Sequence, residues 1–217
     1  MNIIILGPQG CGKGTQAEML AEKFNLVHIE MGSALRKQAA EDTPLGKKLD
    51  EIVNRKRELV SDDIVADVIR EEAKRIPADK GIILDGAPRK MSQIDEAEDT
   101  FKENGRKLEK VIFVKISESE SVNRISKRCA CSKCGKGFIL GKDPVNLKGI
   151  CPECGGKIIR RKDDTPDGVK KRLEIFNRET IPVLDYYRNK GLLMEINGEK
   201  NINNVFEDIV NKLKRKK

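Results

Sequence analysis

The residues best suited to chemistry stand near the start of the chain, in Gly7-Pro8-Gln9-Gly10-Cys11-Gly12-Lys13-Gly14-Thr15. Glycines at 7, 10, 12 and 14 allow tight bends and turn successive backbone N–H groups inward, making a cup for phosphate oxygens. A helix that opens on Lys13 would aim its positive dipole end into the same cup. Lys13 adds a mobile charge for outer phosphates, and Thr15 a hydroxyl suited to magnesium. Gly14 stands where the generic phosphate-loop pattern has its serine or threonine, one place before Thr15. Cys11 lies in the cup at a helix N-terminus, a setting that lowers a thiol pKa and can make it reactive, though a small residue in a tight turn is the simpler reading.

A second constellation is Cys131-x2-Cys134, sixteen residues, then Cys151-x2-Cys154, the spacing of a four-thiolate metal ribbon. Gly135, Gly155 and Gly156 follow the two knuckles, where the chain must turn sharply. Such a site has no open position, so its zinc would be structural. Two disulfides are the rival reading, disfavoured where thiols stay reduced, and iron also accepts four thiolates. Cys129 could displace Cys131, but the symmetry of two Cys-x2-Cys pairs favours Cys131.

Four elements must position these groups. Ile3–Leu6, Gly81–Asp85, Lys110–Ile116 and Gly191–Ile196 are apolar runs of parallel-strand character, with a weaker one at Leu26–Ile29. Helical patterns lie at Ser61–Arg75, Ser92–Asn104, Ser119–Lys127, Gly168–Lys190 and Val205–Lys214, with Ser61 and the Asn203-Asn204 pair as caps. This alternation predicts an α/β fold, a parallel sheet with helices on both faces and ligands beyond the carboxyl ends of the strands. The loop after Asp85 must share that rim, and it carries Gly86, Pro88 and Arg89. His28, the single histidine, ends a strand and reads as a packing or edge residue. Isolated arginines at 55, 57, 75 and 106 read as solvated.

The chain has 217 residues and a formal net charge of +8. Residues 124–165 hold eleven lysines and arginines against four acids, so most of the excess lies in one segment. No apolar run nears the roughly 20 residues of a membrane span, and the first strand begins at once, with no leader pattern. The expectation is a soluble, cytoplasmic protein without a membrane partner.

The loop GPQGCGKGTQ, the run LDGAPR at 84–89, Gln93, RISKR at 124–128, RRKDD at 160–164 and KKRL at 170–173 occur in an order that resembles the adenylate kinases, including the long lid with a zinc ribbon. Gly14-Thr15 is the ordinary form in that family. The resemblance implies the phosphate-loop nucleoside monophosphate kinase fold, divided into a core (1–30, 61–123 and 166–217), an AMP-binding segment (31–60) and a lid (124–165). It implies the reaction ATP + AMP ⇌ 2 ADP with magnesium, and a monomer. By resemblance, residues Gly10, Cys11, Gly12, Lys13, Gly14 and Thr15 hold ATP phosphates, with Gly137, Phe138 and Lys200 at its base and ribose. Arg124, Arg128, Arg161 and Arg172 clamp the transferring group, Arg128 being shared with ATP and Arg161 and Arg172 with AMP. Arg36, Gly86 and Arg89 hold the AMP phosphate, Gln93 reads adenine, and Met31, Leu59 and Val60 wall it. Thr15 and Asp85 organise magnesium, and Cys131, Cys134, Cys151 and Cys154 hold zinc.

Met31 departs from the threonine that many adenylate kinases place against the AMP base, and a thioether is a poor hydrogen-bond partner for adenine. The nearest alternative is therefore a kinase that accepts UMP, CMP or GMP. A basic zinc-ribbon protein that binds nucleic acid is the alternative from another class. The ribbon segment offers only Phe138 for stacking on bases, which argues against a nucleic-acid partner.

Overall fold

The computed structural model describes residues 1–52, 60–141, 143–160 and 164–214. Five parallel strands, β1 (Asn2–Leu6), β2 (Leu26–Glu30), β3 (Gly81–Asp85), β4 (Lys110–Lys115) and β8 (Leu193–Asn197), form one sheet in the order β2-β3-β1-β4-β8. After β1 the chain fills one side of the sheet, then crosses to the other, so the loop that leaves β1 sits where the order reverses. That is where open α/β sheets bind ligands.

Side chains alternate across each strand, and the apolar runs supply both faces. Ile4, Leu6, Ile82, Leu84, Val111 and Phe113 face one way. They pack on α4 (Asp62–Lys74), α5 (Ile94–Glu103) and α8 (Ile181–Asn189) through Val65, Ile69, Ile94, Phe101, Val183 and Leu184. Ile3, Ile5, Ile83, Ile112, Val114 and Ile196 face α1 (Lys13–Phe24) and α9 (Ile202–Lys214), meeting Ala17, Leu20, Val205 and Ile209. A strand buried on both faces must be apolar throughout, which is why β1 reads as an uninterrupted run.

Two excursions leave this core. Residues after β2 form α2 (Met31–Ala39) and α3 (Pro44–Leu49), the latter capped by Thr43 Oγ1 accepting the Gly46 N–H at 2.9 Å. Beyond α6 (Glu118–Ser126), β5 (Arg128–Cys131), β6 (Gly137–Ile139) and β7 (Ile158–Ile159) make a small antiparallel sheet, ordered β6-β5-β7. It has its own core of Cys129, Phe138, Val145, Cys151 and Ile158. Its roots are joined where Ile125 of α6 meets Val169 and Leu173 of α7 (Pro166–Ile175). Among the described residues no helix is long and apolar enough to cross a membrane.

Three local expectations are corrected. The single helix expected over 168–190 is two helices, α7 and α8, separated by a π segment at Phe176–Thr180. Pro182 has no N–H for the α-helical ladder and its ring crowds the carbonyl four residues back, so the turn before it widens. The cap of α9 is Asn201, whose Oδ1 accepts the Asn204 N–H at 2.9 Å, in place of the asparagines at 203 and 204. Arg106 is buried, not solvated, and its guanidinium donates to the carbonyls of Ile76, Pro77 and Lys80. It thereby fixes the loop that feeds β3. Arg106→Ala leaves those carbonyls short of donors and should cost about 2–3 kcal/mol by denaturant unfolding; a change under about 0.5 kcal/mol, ordinary for a solvated arginine, would show that the staple carries no weight.

Candidate functional site

The loop from β1 to α1 is shaped by contacts that leave little choice of residue. A Cβ at Gly7 would lie 2.6 Å from both Cys11 Sγ and Val114 O. Gly10 and Gly12 have φ of 76° and 86°, a region that favours glycine. Gly12 caps α1 without a side-chain acceptor, and the first turn holds no acid, so the orphan N–H groups there are suited to an anionic ligand. Lys13 makes no ion pair among the described residues, and Thr15 is exposed one turn into the helix. Cys11 fits the simpler of its two readings, a small residue in a tight turn. Burial pushes its pKa up against the opposing pull of Lys13, and its sulfur fills the space beneath the loop.

Register explains the next group. Ile5 pairs with Asp85 and Asp85 with Glu30, so the ends of β1, β3 and β2 lie side by side. Asp85 is 3% exposed and stands 3.5 Å from where a Cβ on Gly14 would be. Its Oδ2 faces His28 Nε2 at 3.5 Å, while its buried Oδ1 has no hydrogen-bond partner. An orphaned carboxylate oxygen beside the first turn of α1 is what an oxygen-seeking cation such as magnesium requires. His28 stands on the edge strand β2, as expected.

Cations converge on the same rim. Arg124 donates to Gly10 O at 3.3 Å and to Glu120 at 2.6 Å. Ser121 Oγ donates to Gln9 O at 2.5 Å, so α6 holds the loop through two residues. Arg172 on α7 reaches Gln9 Oε1 at 3.3 Å and lies 3.6 Å from Asp164. Arg128 grips Asp164 with two bonds of 2.7 and 2.5 Å. Asp164 is thus a buried carboxylate between two arginines, 2% exposed. The sequence offered one signal for it, an acidic pair in an otherwise basic segment. Glu120 and Gln9 carried none. Arg161 and Leu59 lie outside the described residues.

The loop after β3 is as firmly built. Arg89 Nε donates to Gly86 O at 2.6 Å, and Thr180 Oγ1 donates to Arg89 O at 3.1 Å. Burial lowers the Arg89 guanidinium pKa; Asp85 and Glu30 oppose that, while Arg172 and Arg36 add to it, so these five charges share one field. Arg36 itself meets Glu30 at 3.4 Å. The Arg89 N–H donates to Gln93 Oε1 at 2.8 Å, and Gln93 Nε2 donates to Asp62 at 2.9 Å. Met31 and Val60 are both buried, in the same hydrophobic cluster.

In the ribbon the four sulfurs of Cys131, Cys134, Cys151 and Cys154 lie within 4.8 Å of one another, and the cysteines are free. Tetrahedral Zn–S bonds of about 2.3 Å require sulfurs about 3.8 Å apart. Cys131–Cys154 and Cys134–Cys151 are 3.4 and 3.9 Å apart. The N–H groups of Lys133 and Cys134 donate to Cys131 Sγ, at 3.3 and 3.5 Å. The Cys134 bond, with Lys133 and Cys154 adding to it against burial, draws the Cys131 thiol down to about 6. A Cβ on Gly156 would lie 2.6 Å from that sulfur. The donors and spacing fit a tetrahedral thiophilic ion. Cys129 is turned into the ribbon core, with its thiol 3.7 Å from Phe138 O, and takes no part. Phe138 is buried in the same ribbon core, beside an exposed Gly137. Lys200 pairs with Asp208 at 2.6 Å, at the start of α9.

A parallel sheet with a glycine loop at its switch point, a ring of arginines and an orphaned carboxylate defines a nucleotide phosphotransferase of the phosphate-loop class. Comparison with known proteins narrows this. The family model for adenylate kinase matches residues 5–192. Adenylate kinase from Archaeoglobus fulgidus is 39% identical over 209 residues, covering 96% of each chain. The enzyme from Clostridium botulinum is 36% identical over 217 residues, covering both chains in full, and that from Fervidobacterium nodosum 38% over 211, covering 97% of this chain and 96% of its own. The chain belongs to the adenylate kinase family.

Replacing one ribbon ligand, as in Cys151→Ser, should abolish stoichiometric zinc in metal analysis and lower the temperature at which the ribbon unfolds. Equal zinc content and an unchanged melt would refute the four-thiolate site.

Proposed function

We propose that the chain is an adenylate kinase in activity: it transfers the terminal phosphoryl group of ATP to AMP, reversibly, giving two ADP. The observation that carries the reading is the junction at Gln9, where the phosphate loop is touched by α6 and by Arg172, which also faces Asp164. Loop, helices and ribbon root are thereby brought to one point, the arrangement a phosphoryl donor and acceptor need if they are to meet in line.

In this reading the N–H groups of residues 10–15 and the Lys13 ammonium hold the ATP phosphates. Arg36 and Arg89, with Gly86, hold the AMP phosphate, and Arg124, Arg128, Arg161 and Arg172 surround the transferring group. An AMP phosphate oxygen, already ionised, attacks the γ-phosphorus. The bond to the β-phosphate oxygen breaks and its electron pair stays on ADP, so no general base is required. Charge spreads over the oxygens in the transition state, and fixed cations stabilise it without reorganisation. Magnesium bound with the nucleotide would be held by Thr15 and Asp85 and would supply further positive charge to the phosphate oxygens. Zinc in the ribbon would be structural. Residues 124–165 would act as a lid over ATP, residues 31–60 as the AMP-binding segment, and the rest as core; closure would exclude water and strengthen each charge contact. The protein would work as a cytoplasmic monomer on ATP, AMP and ADP, with no nucleic-acid or membrane partner.

The thioether of Met31, a poor hydrogen-bond partner for adenine where many adenylate kinases place a threonine, supports one second reading, in which UMP, CMP or GMP is the preferred acceptor. Purified protein with ATP, magnesium and each monophosphate in turn should form ADP fastest with AMP. Lys13→Met should lower that rate at least a hundredfold, with the fold retained by circular dichroism. A faster rate with another monophosphate, or full activity without the Lys13 ammonium, would overturn the proposal.

A further inference from the structure

Gln93 is a carboxamide, and a carboxamide reads a base correctly in only one of its two orientations. Oxygen and NH2 exchange places on rotation by half a turn, at almost no change in shape. Adenine presents a 6-amino donor beside the N1 acceptor, whereas a 6-oxopurine presents an acceptor beside an N1–H donor. A freely turning glutamine would serve both.

Here the two partners of Gln93 settle the orientation by their chemistry. The backbone N–H of Arg89 can only donate, and it meets Oε1 at 2.8 Å. The carboxylate of Asp62 can only accept, and it meets Nε2 at 2.9 Å. Both contacts favour the same orientation, and the two together hold the amide against rotation. Both anchors are themselves held. Arg89 is fixed through Gly86 O and Thr180 Oγ1. Asp62 also accepts from Ser92 Oγ at 2.7 Å and from Lys90 Nζ at 3.2 Å. Burial by itself would raise the Asp62 carboxyl pKa, but the bonds from Ser92, Gln93 and Lys90 carry it below the usual value, so it stays an ionised acceptor. Asp62 lies at the first turn of α4, where Ser61 holds the cap position yet makes no side-chain capping bond. The first acid of the helix is turned instead to Gln93. After both contacts the carboxamide keeps one N–H and one lone pair, a single donor–acceptor pair of defined order.

We infer that Asp62 is a specificity-determining positioning residue: by pinning the Gln93 amide it selects a 6-aminopurine monophosphate over a 6-oxopurine one. The inference rests on the reading that AMP is the acceptor and that Gln93 meets its base. A monophosphate held by Arg36 and Arg89 cannot turn its base over to suit, so the fixed order of donor and acceptor becomes discrimination. A site that hydrogen-bonds a substrate rejects the mismatched analogue strongly, because its own polar groups are then left opposed or unpaired.

The test compares kcat/KM for AMP and IMP, with ATP as donor, in the wild type, Asp62→Leu, Asp62→Asn and Gln93→Leu. Asp62→Leu should reduce the AMP:IMP ratio about tenfold. Asp62→Asn, which can offer oxygen or NH2 and so dictates neither, should reduce it by a smaller factor, with the KM for ATP unchanged in both. An unaltered ratio in both Asp62 variants, including an equal loss with both acceptors, would show a merely structural role and overturn the inference. If Gln93→Leu collapses the ratio while the Asp62 variants leave it intact, only the role of Asp62 fails. If Gln93→Leu also leaves it intact, the base is not read at Gln93. If the wild type forms no ADP from AMP, the functional reading itself fails.

Discussion

Like charges crowded around one loop repel each other, and the site depends on how that repulsion is contained. Unit charges 4 Å apart interact by about 4 kcal/mol at an effective dielectric of about 20, so a ring of bare arginines would cost much of a domain's marginal stability. Among the described residues, the structure tethers Arg36, Arg89, Arg124, Arg128 and Arg172 to an acid or a carbonyl. Asp164 sits between Arg128 and Arg172, Glu120 holds Arg124, and Glu30 meets Arg36. Arg89 is bound to Gly86 O in the field of Asp85. Polyphosphate could replace these partners at small net cost, since charge-assisted bonds to carboxylates are exchanged for charge-assisted bonds to phosphate.

The same logic accounts for the supports. The sheet brings Asp85 and Glu30 to one level by register, and α6 and α7 carry Arg124 and Arg172 to the phosphate loop. The ribbon is too small for a core of its own beyond a few side chains around Cys129 and Phe138, and four convergent thiols give it a second means of folding. Its root ends at Asp164, so the ribbon and the arginines around that carboxylate share a boundary.

Much of this was legible in the chain, and the reason differs from part to part. Apolar runs buried on two faces announce their strands, and glycines at positive φ announce the phosphate loop, because each obeys a local rule. Cysteine spacing announces the thiolate cluster for the same reason. What could not be read depends on partners far away in sequence. Arg106 looks like any surface arginine until the 76–80 loop folds over it. Asp62 looks like a helix-dipole residue until Gln93, 31 positions on, donates to it. Between the two readings of Cys11, burial beneath its loop decides, outweighing the helix end and Lys13. The break before Pro182 lay in plain view, but helical periodicity across it concealed the π turn.

Asp164→Asn tests the containment of charge most directly, because it keeps the shape and removes the shared anion. Without ligand the variant should lose about 2–3 kcal/mol and melt several degrees below the parent, since two partly buried guanidinium groups lose their counter-charge. With saturating ATP the gap between variant and parent should shrink to less than half, as phosphate takes the place of the carboxylate. An unchanged melting temperature without ligand, or a deficit as large with ATP as without it, would contradict the account.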